Sequence, residues 1–359
     1  MPSTALHFRG TVLPDDVVRD VYLVDGQVTF DRVRDATLVA DSVWMVPGLV
    51  DAHCHVGLGT EGGLGEADQE LQALADRNAG TLTIRDCGVP VDTRWMDRRA
   101  DLPQIIRAGR HIARPKRHTR DIGLEVEPAE LVQTVESELA RGDGWIKLVG
   151  DWIDRDRGDL APLWPRDALE AAIGRAHELG ARVTAHCFGE EALYDLLDSG
   201  IDCIEHGTGL STELIEVMAS KQIALVPTLI NIARFPEIAA RGQKFPAYAR
   251  HMLSLHQTVA QRVRSAYEAG VPIYAGTDAG SEVEHGRIAD EIGALHEIGI
   301  DARDALASAS WGARAWLGVD QGLSEGELAN FVAYQEDPLA DLTVLRRPLL
   351  RVLRGRVFR

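Results

Sequence analysis

The 359 residues predict an α/β protein: a (β/α)8 TIM barrel over residues 47–317, with a small β-sandwich domain built from both termini, residues 1–46 and 318–359. Three observations predict this. In the middle of the chain, eight short apolar or β-branched runs alternate with longer amphipathic segments. Both ends read as β-rich stretches punctuated by Gly, Asp and Pro. The length suits a barrel of roughly 250 residues plus an accessory piece.

At the N-terminus, ALHFRGTVL, VYLVDGQVTF and ATLVA are strand candidates, and Asp25-Gly26 between two β-rich runs reads as a tight hairpin. FVAYQ, LTVL and LLRVLRGRVF repeat the pattern at the other end. The eight central strand candidates are GLVDAHC, TLTIRDC, PQIIRAG, GWIKLVG, ARVTAHC, DCIEHG, IALVPTL and VPIYAGT. Between them lie helical stretches such as AELVQTVESELARG, RDALEAAIGRAHELG and EALYDLLDSG. In the second, Leu169, Ile173 and Ala176 recur at helical spacing with charges on the opposite face. Gly180 and Gly200 stand where helices close before the next strand. No GxGxxG or GxxxxGKS opens a helix, so nothing supports a nucleotide-phosphate cradle.

Lys and Arg number 38 against 55 Asp and Glu, a net charge of −17 that disfavours binding to nucleic acid or to an anionic membrane surface. The 45% apolar content argues against disorder. Cys54, Cys87, Cys187 and Cys203 form no CxxC motif or disulfide framework and read as small buried hydrophobes in a reducing cytosol. The opening residues lack an apolar core of signal-peptide length, and no run approaches the ~20 apolar residues of a membrane span. A cytoplasmic protein is the expectation.

Chemistry in a barrel sits at the C-terminal ends of the strands. The first central strand ends Asp51-Ala52-His53-Cys54-His55, where period-two alternation puts both imidazoles on one face. The fourth places Lys147 on a buried strand surface, where an unpaired ammonium is costly. The fifth, sixth and eighth end in His186, Glu205-His206 and Gly276-Thr277-Asp278. Any one of these groups alone is explained as readily by a structural role. Four histidines, a lysine and an aspartate gathered at strand ends point to a metal centre.

These pieces, VPGLVDAHCH, GWIKL, VTAHC, DCIEHG and AGTDAG in order, resemble the amidohydrolase superfamily, as does the tail DPLADL…VLRGRVF. Within it the chain is most similar to the imidazolonepropionase-related, prolidase-like branch. The resemblance implies two divalent ions per chain, Zn²⁺ by ligand type and family habit. His53, His55 and Asp278 would hold the more buried ion and His186 and His206 the other, with Lys147, carboxylated by CO₂, bridging them through its carbamate. It also implies cleavage of an amide-type C–N bond in a dipeptide, N-acyl amino acid or cyclic amide by a metal-bridged hydroxide. Asp278 would act as base and then acid, and His206 is a second candidate for stabilising the oxyanion.

The substrate loops depart from the family pattern. Arg110–His118 is basic and reads either as a solvated charge run or as an attractor of a substrate carboxylate, with His118 as a contact. Trp152 is a candidate pocket wall, Asn231 and Arg234 are candidates for orienting a small-molecule substrate, and His285 for the pocket mouth. Ester, lactone or organophosphate hydrolysis on the same ligands is the alternative. A mononuclear deaminase is disfavoured by Gly189, where that branch has Glu, and by Lys147 itself. A ligand-depleted scaffold is disfavoured because all six ligands are present. The resemblance leaves a homo-oligomer open.

Overall fold

A computed structural model describes residues 5–242 and 244–359. The N-terminal arm lays down β1 (Leu6–Val12), β2 (Val17–Val24), β3 (Gln27–Thr29) and β4 (Thr37–Pro47). The expected hairpin joins β2 to β3. Val24 pairs with Gln27, and Asp25 and Gly26 both have positive φ, as a two-residue turn matched to strand twist requires. Gly48 then separates β4 from β5 (Leu49–Cys54).

Next come a short ladder of β6 (Leu58–Gly59) with β7 (Gly62–Gly63), α1 (Glu66–Asn78), β8 (Thr81–Asp86), β9 (Gln104–Arg107), β10 (His111–Ala113) and β11 (Leu124–Glu125). The crossover from β8 to β9 contains a single 3-10 turn, Arg94–Arg98, rather than an α-helix. Then follow α2 (Leu131–Leu139), β12 (Trp145–Val149), the hairpin β13 (Asp151–Asp154) with β14 (Asp159–Pro162), α3 (Arg166–Glu178), β15 (Arg182–Cys187), α4 (Glu191–Asp198) and β16 (Cys203–His206). Leu169, Ile173 and Ala176 of α3 are buried as their spacing predicts. Gly180 and Gly200 have positive φ just beyond α3 and α4. The chain continues through α5 (Thr212–Lys221), β17 (Ala224–Val226), α6 (Leu229–Ile232), α7 (Phe235–Arg241), α8 (Pro246–Glu268), α9 (Ile288–Glu297), α10 (Ala302–Ala307) and α11 (Trp311–Leu317). It ends with β18 (Phe331–Tyr334), β19 (Leu350–Leu353) and β20 (Arg356–Phe358).

The β-rich arms pair in a single seven-stranded sheet ordered β20-β19-β18-β4-β1-β2-β3 and packed around Phe8, Val21, Met45, Phe331 and Val352, where the sequence predicted a sandwich. The central strands form two parallel arrays, β5-β8-β9 and β11-β10-β12-β15-β16-β17. The eighth strand candidate is not a regular strand. Pro272 has no N–H to donate, and the segment instead bonds its neighbours singly. Leu225 N donates to Pro272 O and Tyr274 N to Leu225 O on one side; Ala52 N donates to Ala275 O and Asp278 N to His53 O on the other. A Cβ on Gly276 would lie 2.7 Å from the His53 backbone nitrogen, so only glycine permits this approach to β5. No helix among the described residues is long and apolar enough to cross a membrane.

Candidate metal centre

β5 delivers His53 and His55 to its C-terminal end, and both are buried. His53 Nδ1 donates to Glu205 Oε2 at 2.6 Å, and His55 Nδ1 donates to the Gly88 carbonyl at 2.9 Å. Each Nε2 then carries a lone pair. The two Nε2 atoms nevertheless stand 3.2 Å apart, and Asp278 Oδ1 lies 3.2 and 3.0 Å from them. Three atoms able to ligate, gathered this closely, form a set that suits a bound cation. Ligand atoms of His53, His206 and Asp278 all fall within 4.8 Å of one another.

Backbone strain marks the same place. His206 and Asp278 have φ of 69° and 58°, and non-glycine residues adopt this left-handed region at a cost that concentrates at functional sites. Lys147 is 1% exposed and its Nζ has no hydrogen-bond partner. A bare ammonium is poorly suited to that position.

Burial works to raise the Asp278 carboxyl, but His53, His55 and His206 outweigh it and hold it well below the usual carboxylate range. Burial lowers His206 to about 3, and burial with His206 and Lys147 nearby holds His186 well below its ordinary value. Neutral His186 and His206 and an ionised Asp278 are protonation states that suit metal binding; at His53 burial favours the neutral ring, but Glu205 and Asp278 outweigh it and raise the imidazole above its ordinary value.

Seven rings close an annulus around the cavity: His53, His55, His111, His118, Trp152, His186 and His206, with successive centroids 4.7–5.3 Å apart. The cavity has a volume of about 280 Å³ and is also lined by Lys147, Phe188, Asn231, Arg234, Tyr248 and Asp278. His53, His55, Lys147, His186, His206 and Asp278 are thus gathered at one cavity, with His118, Trp152, Asn231 and Arg234 on its walls.

The amidohydrolase family model matches residues 44–355. The chain belongs to the amidohydrolase family. It is 52% identical over 358 residues to an uncharacterized protein of Mycobacterium tuberculosis (strain H37Rv), covering 99% of this chain and 96% of that one. It is 27% identical over 225 residues to ochratoxinase from Aspergillus niger, covering 61% of this chain and 46% of that enzyme. Among solved structures, a Xaa-Pro dipeptidase with bound methionine superposes with a TM-score of 0.84 at 22% identity, covering 99% of this chain and 100% of that one. Aspergillus niger ochratoxinase superposes at 0.80 with 18% identity, covering 100% and 96%. Membership of that family makes it a hydrolase.

Two sequence expectations look different in the amidohydrolase's structure. His285 is not at the cavity. Its Nδ1 donates to the buried Asp76 at 2.8 Å behind β5, so the imidazole is held by the scaffold. The basic loop is internally paired: Arg110 with Glu138, Arg114 with Glu127, and Arg117 with Asp154 and the carbonyls of Trp152 and Ala161. Of the two readings of that loop, the pairing supports the structural one. Arg234 is likewise paired with Glu282.

Beneath the candidate ligands lies a layer that motif spacing does not reveal. Glu205 is fully buried and accepts from His53, from Arg85 Nη2 at 2.6 Å and from Thr184 Oγ1. Asp151 accepts the backbone N–H groups of Phe188 and Gly189 and lies 3.7 Å from His186 Nε2; burial pushes its carboxyl up to about 7. His111 joins the annulus from β10. The available signal was a pair of opposite charges, Arg85 and Glu205, each in mid-strand within TLTIRDC and DCIEHG.

Proposed function

We propose that this amidohydrolase is a binuclear metal-dependent enzyme that cleaves an amide-type C–N bond in a dipeptide, N-acyl amino acid or cyclic amide. The observation that carries this reading is the contact of His53 Nε2, His55 Nε2 and Asp278 Oδ1 beside the partnerless Lys147. His53, His55 and Asp278 would hold one divalent ion and His186 and His206 the other, with Lys147 between them as a carbamate. Carboxylation by CO₂ would replace a costly buried cation with an anion. Two bound Zn²⁺ ions would supply Lewis acidity and lower the pKa of a water to about 7.

The chain's own residues then move the proton. Asp278, ionised and within the ligand group, takes it from the attacking water and delivers it to the leaving nitrogen as the C–N bond breaks and the C–O bond forms. Trp152, His118 and Phe188 would offer flat ring faces to the substrate, and Arg234 lines the same cavity. The fold reading that goes with this chemistry is a (β/α)8 barrel over residues 47–317. Its two parallel arrays are joined through the 272–279 segment and the β9–β10 bend, and the split β domain occupies 1–46 and 318–359. The protein is read as cytoplasmic.

The test is a hydrolysis panel of dipeptides, N-acyl amino acids, cyclic amides and lactones, with and without prior chelation. Amide cleavage that chelation abolishes and Zn²⁺ restores is the expected result. Faster turnover of lactones or phosphotriesters would favour the alternative on the same ligands, and chelator-insensitive cleavage would overturn the metal mechanism.

A further inference from the structure

β17 supplies no candidate ligand, yet the turn that follows it touches two of them. Thr228, with φ of 48°, places its Oγ1 2.7 Å from His206 Nδ1. Three residues on, Asn231 Nδ2 donates to Asp278 Oδ2 at 2.6 Å. The backbone between them is held from behind. Leu229 N and Ile230 N donate to the two carboxylate oxygens of Glu291 at 2.8 and 2.9 Å, and Glu291 is fully buried on α9. Nothing in the proposed chemistry uses Glu291, and its position is otherwise unexplained.

We infer that the Thr228–Asn231 turn, anchored by Glu291, is a positioning element of the metal centre. Thr228 decides which nitrogen of His206 faces the cavity, and Asn231 fixes Asp278 with Oδ1 toward the histidines. With Nδ1 engaged by Thr228, His206 presents Nε2 to the ligand group. With Oδ2 held by an amide donor, Asp278 cannot swing that oxygen toward His53 and His55. Partners of this kind set ligand orientation and basicity. Asn231 therefore acts through Asp278 rather than by gripping substrate. The inference rests on the proposed metal centre.

The test uses Asn231→Leu, which keeps the bulk and removes the donor, and Thr228→Val, which removes only the hydroxyl. Zn²⁺ affinity is read by competition with a chromogenic chelator, and the ligand set by the visible spectrum of the Co²⁺-loaded protein. Thermal melts of the metal-free proteins report folding separately. Each variant is expected to melt close to wild type, to bind at least one Zn²⁺ about 10- to 100-fold more weakly, and to show an altered Co²⁺ spectrum. Wild-type affinity and spectrum in both variants would overturn the positioning role while leaving the metal centre standing. A wild-type protein that binds no metal would overturn both.

Discussion

Glu205 and Glu291 are both buried carboxylates, and their surroundings drive them in opposite directions. Burial alone would raise Glu205, but Arg85, His53 and Lys147 hold it well below the ordinary carboxylate range. Its charge therefore contributes stability above about pH 4.5 that is lost as pH falls through the depressed value. Glu205→Gln leaves the Arg85 guanidinium buried without its counter-ion and is expected to cost about 3–5 kcal/mol in denaturant melts. Burial raises Glu291 to about 8 despite two backbone donors. A raised carboxylate favours the protonated folded state, so its contribution is full below about pH 4.5 and is lost as pH climbs toward 8. Glu291→Gln should flatten the fall in melting temperature between pH 5 and 8 in metal-free protein; an unchanged slope would contradict that assignment. The gathering of the histidines at one cavity was legible in the sequence because they stand at the C-terminal ends of strands. Glu205 was not. Alternation puts it on the face opposite His206, and the left-handed backbone at His206, invisible in the sequence, turns both inward.

Among the elements, the β13–β14 hairpin after the fourth central strand carries Trp152 to the cavity wall and is tied down from outside its own sequence. Arg117 reaches Asp154 and the carbonyls of Trp152 and Ala161. On the other side His251 of α8 sits between Asp159 and Glu190, and its bond to Glu190 raises it to about 9. Arg117→Ala should raise hydrogen exchange in residues 151–162 and increase KM more than it lowers kcat. Unchanged protection would mean that the hairpin holds itself. Gly276→Ala would press a methyl group against β5 and is expected to cost about 1–3 kcal/mol with loss of metal affinity. The helices with clean 3.6-residue spacing, α3 above all, could be read from the sequence. The eighth strand candidate could not, because VPIYAGT has strand composition while its pairing is limited by Pro272 and by contacts from β5 and β17.

Over the whole molecule, the −17 charge says little about the site, because many of its ions are paired with each other on the surface or in the loops. The arginine-rich loop that stood out in the sequence is spent on holding α2 and the hairpin in place. What unites the molecule is the convergence of six candidate ligands from five regions of the chain on one cavity, which local pattern can suggest but only the assembled sheets bring about. Elemental analysis of protein purified without chelators, wild type beside Lys147→Ala, tests that convergence most directly. The account predicts about two divalent metal ions per wild-type chain and at most one in the variant. No metal or a single ion in the wild type, or two ions retained without Lys147, would contradict it.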